Sequence, residues 1–360
     1  MHFAEKLKAY FLRFLTNKKV TVFDIKNARS VLFLRYDRIG DMVITTPVFR
    51  ELKQNYPEIN ISVLASSINQ NVLHNNPYVD KVFLNYKNNF LKDLPTLLKL
   101  RRNKYDVCVE FDHSVIPHAI IRLRIINPKK IISVFKKGRY GVTGNELKLY
   151  DFYTDKPEGA HFQKIWLNTL SPFKVKSSSN QYDLFCSDYQ KEKAKNYLSL
   201  FGKKILVGIN IEGAVKGKRI QLNKVQEICR GIFNINNNVQ IILLSNPRKI
   251  KKISQFCQNL KLSYVVPSYK TESILDAAAL IEKLDLVISP DTSIVHLASA
   301  FNKPIISIHE NNKDSYQLFA PTSEINRTVF SANSKSLEGF SVESILVHAN
   351  DLMKLVKSER

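Results

Sequence analysis

The sequence predicts an α/β protein of two domains, each a parallel sheet with helices on both faces. Three observations carry that prediction. Short β-rich apolar runs alternate with helix-patterned stretches from Ser30 onward, a stretch with a Pro and a serine run at Ser171–Gln181 breaks the rhythm, and the rhythm restarts near Ile205. Such alternation is what βαβ units produce. A chain of 360 residues is long enough for two domains that each bury a core.

Residues 3–19 open the chain with Phe3, Leu7, Tyr10, Phe11, Phe14 and Leu15 at helical spacing, and with Lys6, Lys8, Arg13, Lys18 and Lys19 mostly on the other side. This reads as a basic amphipathic helix within residues 1–28, lying on an anionic membrane surface or docked on its own domain. The first domain, 29–171, has strands at Ser30–Arg35, Ile59–Leu64, Lys81–Leu84, Asp106–Phe111 and Ile131–Val134. Its helices include Thr46–Asn55 and a closing one at His161–Leu170. A linker at 172–181 leads to the second domain, 182–338, with strands at Ile205–Ile209, Val239–Leu244, Tyr264–Val266, Leu286–Ser289 and Pro304–Ile308. Ser341–Ser358 forms a closing helix in 339–360. Units of this kind hold ligands outside the carboxyl ends of their strands.

Composition narrows the class. Hydrophobic residues at 44% and charged residues at 24% describe a soluble globular protein. No apolar run reaches the roughly 18–20 residues of a membrane span, and Lys6, Lys8 and Arg13 interrupt any secretory signal. Cys108, Cys186, Cys229 and Cys257 lack metal spacing and read as buried free thiols in a reducing cytoplasm. Lys and Arg number 54 against 32 Asp and Glu, a net charge of +22. That balance favours polyanions: nucleic acid, an acidic membrane surface or a phosphorylated substrate. No nucleic-acid module accompanies the charge, and its cations are not interleaved with aromatics, so nucleic acid is not expected as a partner.

Three segments carry chemistry. Arg35–Pro47 (RYDRIGDMVITTP) sits where the first strand meets the first helix, with Gly40 permitting a tight turn or close ligand approach and Asp41 at the helix entry. The positive end of the helix favours an ionised Asp41 as a base, although a helix cap is the other use of an Asp there. Ile288–Ala298 runs from a strand through Pro290–Asp291 into a helix, where free N–H groups with Thr292 and Ser293 can cradle a diphosphate. His296, four residues after Thr292, shares its face and either donates to a phosphate or is a satisfied core histidine. Gly208–Arg219 is a strand with a small-residue loop and the basic pair Lys218–Arg219, which either neutralises leaving-group charge or is a solvated loop. There is no G-x-G-x-x-G, P-loop, H-E-x-x-H or D-x-D. With no carboxylate pair expected beside these segments, cations and helix dipoles, not a metal, are expected to stabilise the leaving diphosphate.

In order and spacing, RxDRIGDxVxTTP at 35–47 and SxDTxxxHLAxAxxKP at 289–304 resemble glycosyltransferase family 9, the bacterial lipopolysaccharide heptosyltransferases. The resemblance spans most of 30–310. It implies a GT-B architecture, two Rossmann-like domains facing a central cleft, with the C-terminal helix returning to the first domain. It also implies an inverting enzyme that needs no metal and no cofactor beyond its nucleotide-sugar donor, expected to be ADP-heptose. Asp41 becomes the catalytic base. Gly40, Lys218, Arg219, Asp291, Thr292, Ser293 and His296 become donor-binding. The acceptor is an anionic lipid-linked core oligosaccharide, which gives the basic stretch containing Arg122, Arg124, Lys136, Lys137 and Arg139 a purpose, at the acceptor or at the inner membrane surface. A cytoplasmic protein, peripheral at that membrane, is expected.

The departures lie on the donor side. Ser293 replaces a usual Gly, Ile220-Gln221 a usual Trp-Pro, His309-Glu310 a usual Phe-Gly, and Ile211-Glu212 a common Pro-Gly. They leave open the same fold using another nucleotide sugar for a different surface polysaccharide, or a catalytically silent polyanion-binding protein.

Overall fold

The computed structural model describes residues 3–18, 22–86, 89–213 and 216–358. Lys19 of the first expected segment, and Ala214 and Val215 of the third chemical segment, lie outside them. The chain divides into two compact units, 1–180 and 181–360.

The first unit runs α1 (Phe3–Thr16), β1 (Ser30–Leu34), α2 (Ile39–Asn55), β2 (Asn60–Ser66), β3 (Lys81–Asn85), α3 (Phe90–Arg102), β4 (Val107–Glu110), α4 (Pro117–Ile126), β5 (Lys130–Val134), β6 (Phe152–Thr154) and α5 (Phe162–Leu167). Its six strands are ordered β3-β2-β1-β4-β5-β6 and all pair in parallel. The second unit runs α6 (Asp188–Ser199), β7 (Ile205–Asn210), α7 (Leu222–Ile235), β8 (Val239–Leu244), α8 (Ile250–Leu260), β9 (Val265–Pro267), α9 (Ile274–Glu282), β10 (Leu286–Pro290), α10 (Ser293–Ala300), β11 (Ile305–His309), α11 (Lys313–Phe319), β12 (Asn326–Phe330) and α12 (Val342–Ser358). Its sheet, β12-β11-β10-β7-β8-β9, repeats the same winding and is also parallel throughout. In each sheet the order reverses between two central strands, β1 and β4 or β7 and β10, and such a reversal opens a crevice at the strands' carboxyl ends.

The central strands are apolar along their length because helices cover both faces. Phe33 of β1 is fully buried, edge-on to Phe49 of α2 with ring centres 5.0 Å apart and stacked on Phe111 at 6.1 Å. The opposite, amino ends of the strands are tied by aspartates from the neighbouring connection. Asp80 accepts from the Ile61 N–H, Asp106 from Arg29 and Ser30, Asp151 from Ile131, and Asp285 from Leu206. These four aspartates are therefore spent away from the crevices.

Helix α2 begins at Ile39, earlier than its Pro47 suggests. A proline in a helix leaves the carbonyl four residues back without its N–H donor. Here the Thr46 hydroxyl donates to the Val43 carbonyl at 2.7 Å and that of Thr45 to the Asp41 carbonyl at 2.7 Å, so the Thr-Thr-Pro run continues the helix.

The closing helix α12 packs on α7, with Ile345, Ala349, Leu352 and Met353 buried in the second unit's core. All four cysteines are free and buried.

Candidate active site

In the first unit, Asp41 stands at the third residue of α2, beside the carboxyl end of β1. One carboxylate oxygen accepts from the Arg38 N–H at 3.2 Å, so Asp41 is a helix-capping residue. Its other oxygen is 3.9 Å from Nη2 of Arg35, leaving it available to a further group. The cap thus occupies only one oxygen of the carboxylate.

Arg35 is the organiser that the sequence reading left without a role. Its side chain is 2% exposed, and a buried guanidinium needs partners. It has them: Asp37 at 3.0 Å, the Asp41 carbonyl at 3.3 Å, and the Trp166 and Phe111 rings beneath it at 3.7 and 5.1 Å. Such cation–π contacts are worth up to about 2 kcal/mol when desolvated. The Trp166 indole donates to Nε2 of His113 at 3.2 Å. Burial, then the nearby Arg35 charge, lowers His113 to a pKa of about 3, so it is a neutral acceptor. Trp166, the chain's single tryptophan, on the helix closing the domain, was the visible signal for this wall.

Across the order reversal, β4 ends at Glu110, with Phe111 and Asp112 following it. Glu110 accepts from Lys136 Nζ at 2.5 Å and from Ser133 at 2.8 Å. Burial alone would raise its pKa, but Lys136 and the hydrogen bonds outweigh it and keep Glu110 ionised. Asp112 is pushed the other way, first by burial and then by Glu110 and Asp37, well above the usual carboxylate range. Two carboxylates with pKa values pushed in opposite directions therefore lie side by side at this end of the sheet. Two carboxylates at a strand terminus were the sequence signal for them.

The structure sorts the expected acceptor cations. Arg122 is 5% exposed and pairs with the fully buried Asp93 at 2.7 Å, with its guanidinium against the Tyr36 ring. Lys136 is 2% exposed and committed to Glu110. Both are corrected from acceptor contacts to internal ion-pair members, because a buried cation with a dedicated partner is not offered to a ligand. Arg124 is half-buried, while Lys137 and Arg139 are exposed. Gly40 is buried in the first turn of α2 with no left-handed backbone.

In the second unit, the segments after β7 and β10 come together at the order reversal. The Asn210 amide donates to the Ser289 and Thr292 hydroxyls, each at 3.0 Å, and to the Glu212 carbonyl at 3.2 Å. Thr292 is the N-cap of α10 and accepts from the Ile294 N–H at 3.3 Å. The Asp291 N–H donates to the Ile308 carbonyl at 3.0 Å, fixing the turn. The result is a helix start held rigidly beside Asp291 and Ser293, suited to an anion. His296 is 3% exposed, between the rings of Tyr182 and Phe319, and so supports the turn from inside.

Lys218 reaches this end of the sheet from the loop after β7. Gly213 is required there, since a Cβ would collide with the Lys218 carbonyl. Lys218 Nζ pairs with Glu310 at 2.8 Å, while Glu212 is shared between Lys249 at 2.5 Å and Arg219 at 3.5 Å. Each carboxylate beside these cations is thus engaged in an ion pair. His309, beside Glu310, is 3% exposed, and burial together with Lys218 lowers its pKa to about 4.

Comparison with known proteins agrees with this arrangement. The family model described as glycosyltransferase family 9 (heptosyltransferase) matches residues 97–347, which contain both segments of the second unit, whereas the Asp41 segment precedes the match. Lipopolysaccharide heptosyltransferase 1 of Campylobacter coli is 22% identical over 354 residues, covering 91% of this chain and 98% of that protein. Among solved structures, the family 9 glycosyltransferase of Veillonella parvula superposes with a TM-score of 0.76 at 16% identity, over 92% of this chain and 99% of its own. The E. coli ADP-heptose lipopolysaccharide heptosyltransferase II gives 0.72 at 16% identity, over 92% and 100%. These share the GT-B fold of two Rossmann-like units. With the matched family model spanning most of the chain and the motif residues gathered at the order reversal of each sheet, this chain belongs to glycosyltransferase family 9, the heptosyltransferase family, and is a glycosyltransferase.

Proposed function

We propose that the protein transfers a heptose from ADP-heptose to the core oligosaccharide of lipopolysaccharide or lipooligosaccharide, with inversion at the anomeric carbon. Asp41 accepts the proton of the acceptor hydroxyl as its oxygen bonds to the anomeric carbon. The bond from that carbon to the diphosphate oxygen breaks, and ADP departs with the electron pair. The start of α10 and Lys218 hold the departing diphosphate, a role for fixed dipoles and cations that cost no reorganisation as charge develops. The observation that carries the reading is the Asn210–Ser289–Thr292 network, which prepares the α10 start as an anion cradle at the order reversal of the second sheet. A lipid-linked acceptor would have the enzyme work as a peripheral protein at the inner face of the cytoplasmic membrane. Consistent with that, no helix among the described residues is long and apolar enough to cross a membrane.

A second reading rests on Glu310. A carboxylate on Lys218, where the family usually has Phe-Gly, favours another nucleotide sugar and another surface polysaccharide. Release of nucleoside diphosphate by the purified chain, measured with ADP-heptose and with UDP-, GDP- and other ADP-sugars, separates the two. ADP-heptose is expected to support the fastest acceptor-dependent release. Turnover with a different donor alone would replace it, and no turnover with any donor would leave a silent polyanion-binding protein.

A further inference from the structure

Helix α1 is held on the first unit by one narrow face. Ala9, Leu12 and Thr16 are at most 2% exposed, and Ala9 and Leu12 join the core cluster with Leu123 and Ile126 of α4. At about 100° per residue, Leu7, Tyr10, Phe11 and Phe14 fall within an arc of roughly 100° on the opposite side. They are 54–72% exposed. A docked helix normally turns polar residues to water. This one is apolar on both sides, with its cations on the seams. Lys6 and Arg13 border the outer stripe on one side and Lys8 on the other.

The seams are fixed in place. Arg13 donates to Glu146 at 2.7 Å and to the Gly141 carbonyl at 3.2 Å, and the Lys8 ammonium lies 5.4 Å from the centre of the Tyr140 ring. These contacts bring the 137–146 segment alongside, where Lys137 and Arg139 are exposed. Arg13 neutralises the acid of that loop, Glu146, and no acid lies within the outer stripe.

Large apolar and aromatic side chains flanked by cations match an anionic bilayer. Rings and aliphatic chains enter the acyl boundary while ammonium groups remain among the phosphates. We propose that α1 is an interfacial anchor whose Leu7–Tyr10–Phe11–Phe14 face inserts into an anionic lipid surface while its Ala9–Leu12–Thr16 face stays docked on the first unit. The inference deepens the membrane-surface reading above, and its test does not depend on glycosyl transfer.

The test is co-sedimentation of the full chain with vesicles of phosphatidylglycerol and phosphatidylethanolamine, set against vesicles of phosphatidylcholine alone. The wild type should bind the anionic vesicles at least about tenfold more tightly, given roughly 1 kcal/mol per basic residue near such a surface. Phe11→Ser with Phe14→Ser should weaken that binding by about tenfold or more, since each ring forfeits apolar burial. Both positions are exposed, so Tm should be unchanged, as should turnover on a delipidated acceptor. Lys6→Glu with Lys8→Glu should abolish the preference for anionic lipid. Anionic-vesicle binding equal to the wild type in the double-serine variant overturns the assignment to α1 while leaving membrane association standing. A wild type that ignores anionic vesicles overturns both. A wild-type dimer that the serine pair dissociates, with vesicle binding intact, makes a second copy the occupant and overturns the lipid assignment.

Discussion

Replacing Asp41 by Asn separates its capping of α2 from the base role proposed for it. The cap is one hydrogen bond, Arg38 N–H to a carboxylate oxygen at 3.2 Å, and Asn keeps an oxygen in that place. What is lost is charge: about 0.3–1 kcal/mol of interaction with the helix start, and the attraction of Arg35 at 3.9 Å. Asp37 stays 3.0 Å from the same guanidinium, so the buried cation is not stranded. The total is about 1–2 kcal/mol, or a fall in Tm of about 3–6 °C for a unit of this size. Loss of a general base is a different order of effect, about 10²–10⁴ in kcat. Asp41→Ala should add roughly 1 kcal/mol by removing the cap, with no further loss of kcat. ADP release at saturating donor and acceptor, measured well below both transitions, gives kcat, and calorimetry gives Tm. If Asp41→Asn keeps kcat within about fivefold of wild type, Asp41 is a cap and not a base.

The remaining expectations address the other groups. Arg122→Met should cost about 3–5 kcal/mol in stability by stranding the buried Asp93, with acceptor KM unmoved. Arg139→Glu should do the opposite, raising acceptor KM at unchanged Tm; the reverse pattern would show the two cations wrongly sorted. Thr292→Val removes the oxygen bonded by Asn210 and Ile294, and should weaken ADP binding about ten- to hundredfold by titration calorimetry. Unchanged affinity would detach the α10 start from the donor. His113 is held at a pKa of about 3 against an ordinary value of 6.5, so its neutral form stabilises the fold. That contribution is complete above pH 6.5 and is lost as pH falls towards 3, because the unfolded chain then binds the extra proton. His113→Gln keeps an acceptor for Trp166 and should flatten the fall in Tm between pH 7 and 5; equal slopes would dismiss His113 as a source of acid sensitivity.

Much of the fold could be read from pattern, since buried parallel strands such as Val239–Leu244 are continuous apolar runs. The edge strands β6 and β12 were not seen. Each has only one strand neighbour and carries exposed residues, so Phe-Tyr-Thr and Asn-Arg-Thr-Val-Phe lack that signature. Pro47 delayed the expected start of α2, because backbone rules alone do not count the threonine hydroxyls that replace the missing donor. The site segments were visible from residue types, but burial was not. By residue type Arg122 and Lys136 look like Arg139, and only packing distinguishes a charge facing Asp93 or Glu110 from one facing water. Arg35 escaped for a related reason: its partners include Phe111 and Trp166, which are far away in sequence.

The pairing of Lys218 with Glu310, and of Arg219 and Lys249 with Glu212, changes how selectivity in a chain of charge +22 should be understood. A bare cationic cradle would fill with inorganic phosphate or any stray polyanion, and the enzyme would be inhibited by the commonest ions around it. Here each of these cations already has an internal anion, so an incoming ligand must exchange with a carboxylate instead of merely arriving. A free phosphate gains little from that exchange. A ligand that also engages the rest of the site can draw on those further contacts to drive it. If Lys218 and Arg219 hold the donor as proposed, Glu310 and Glu212 are resident competitors that set a threshold which contacts beyond the diphosphate must exceed.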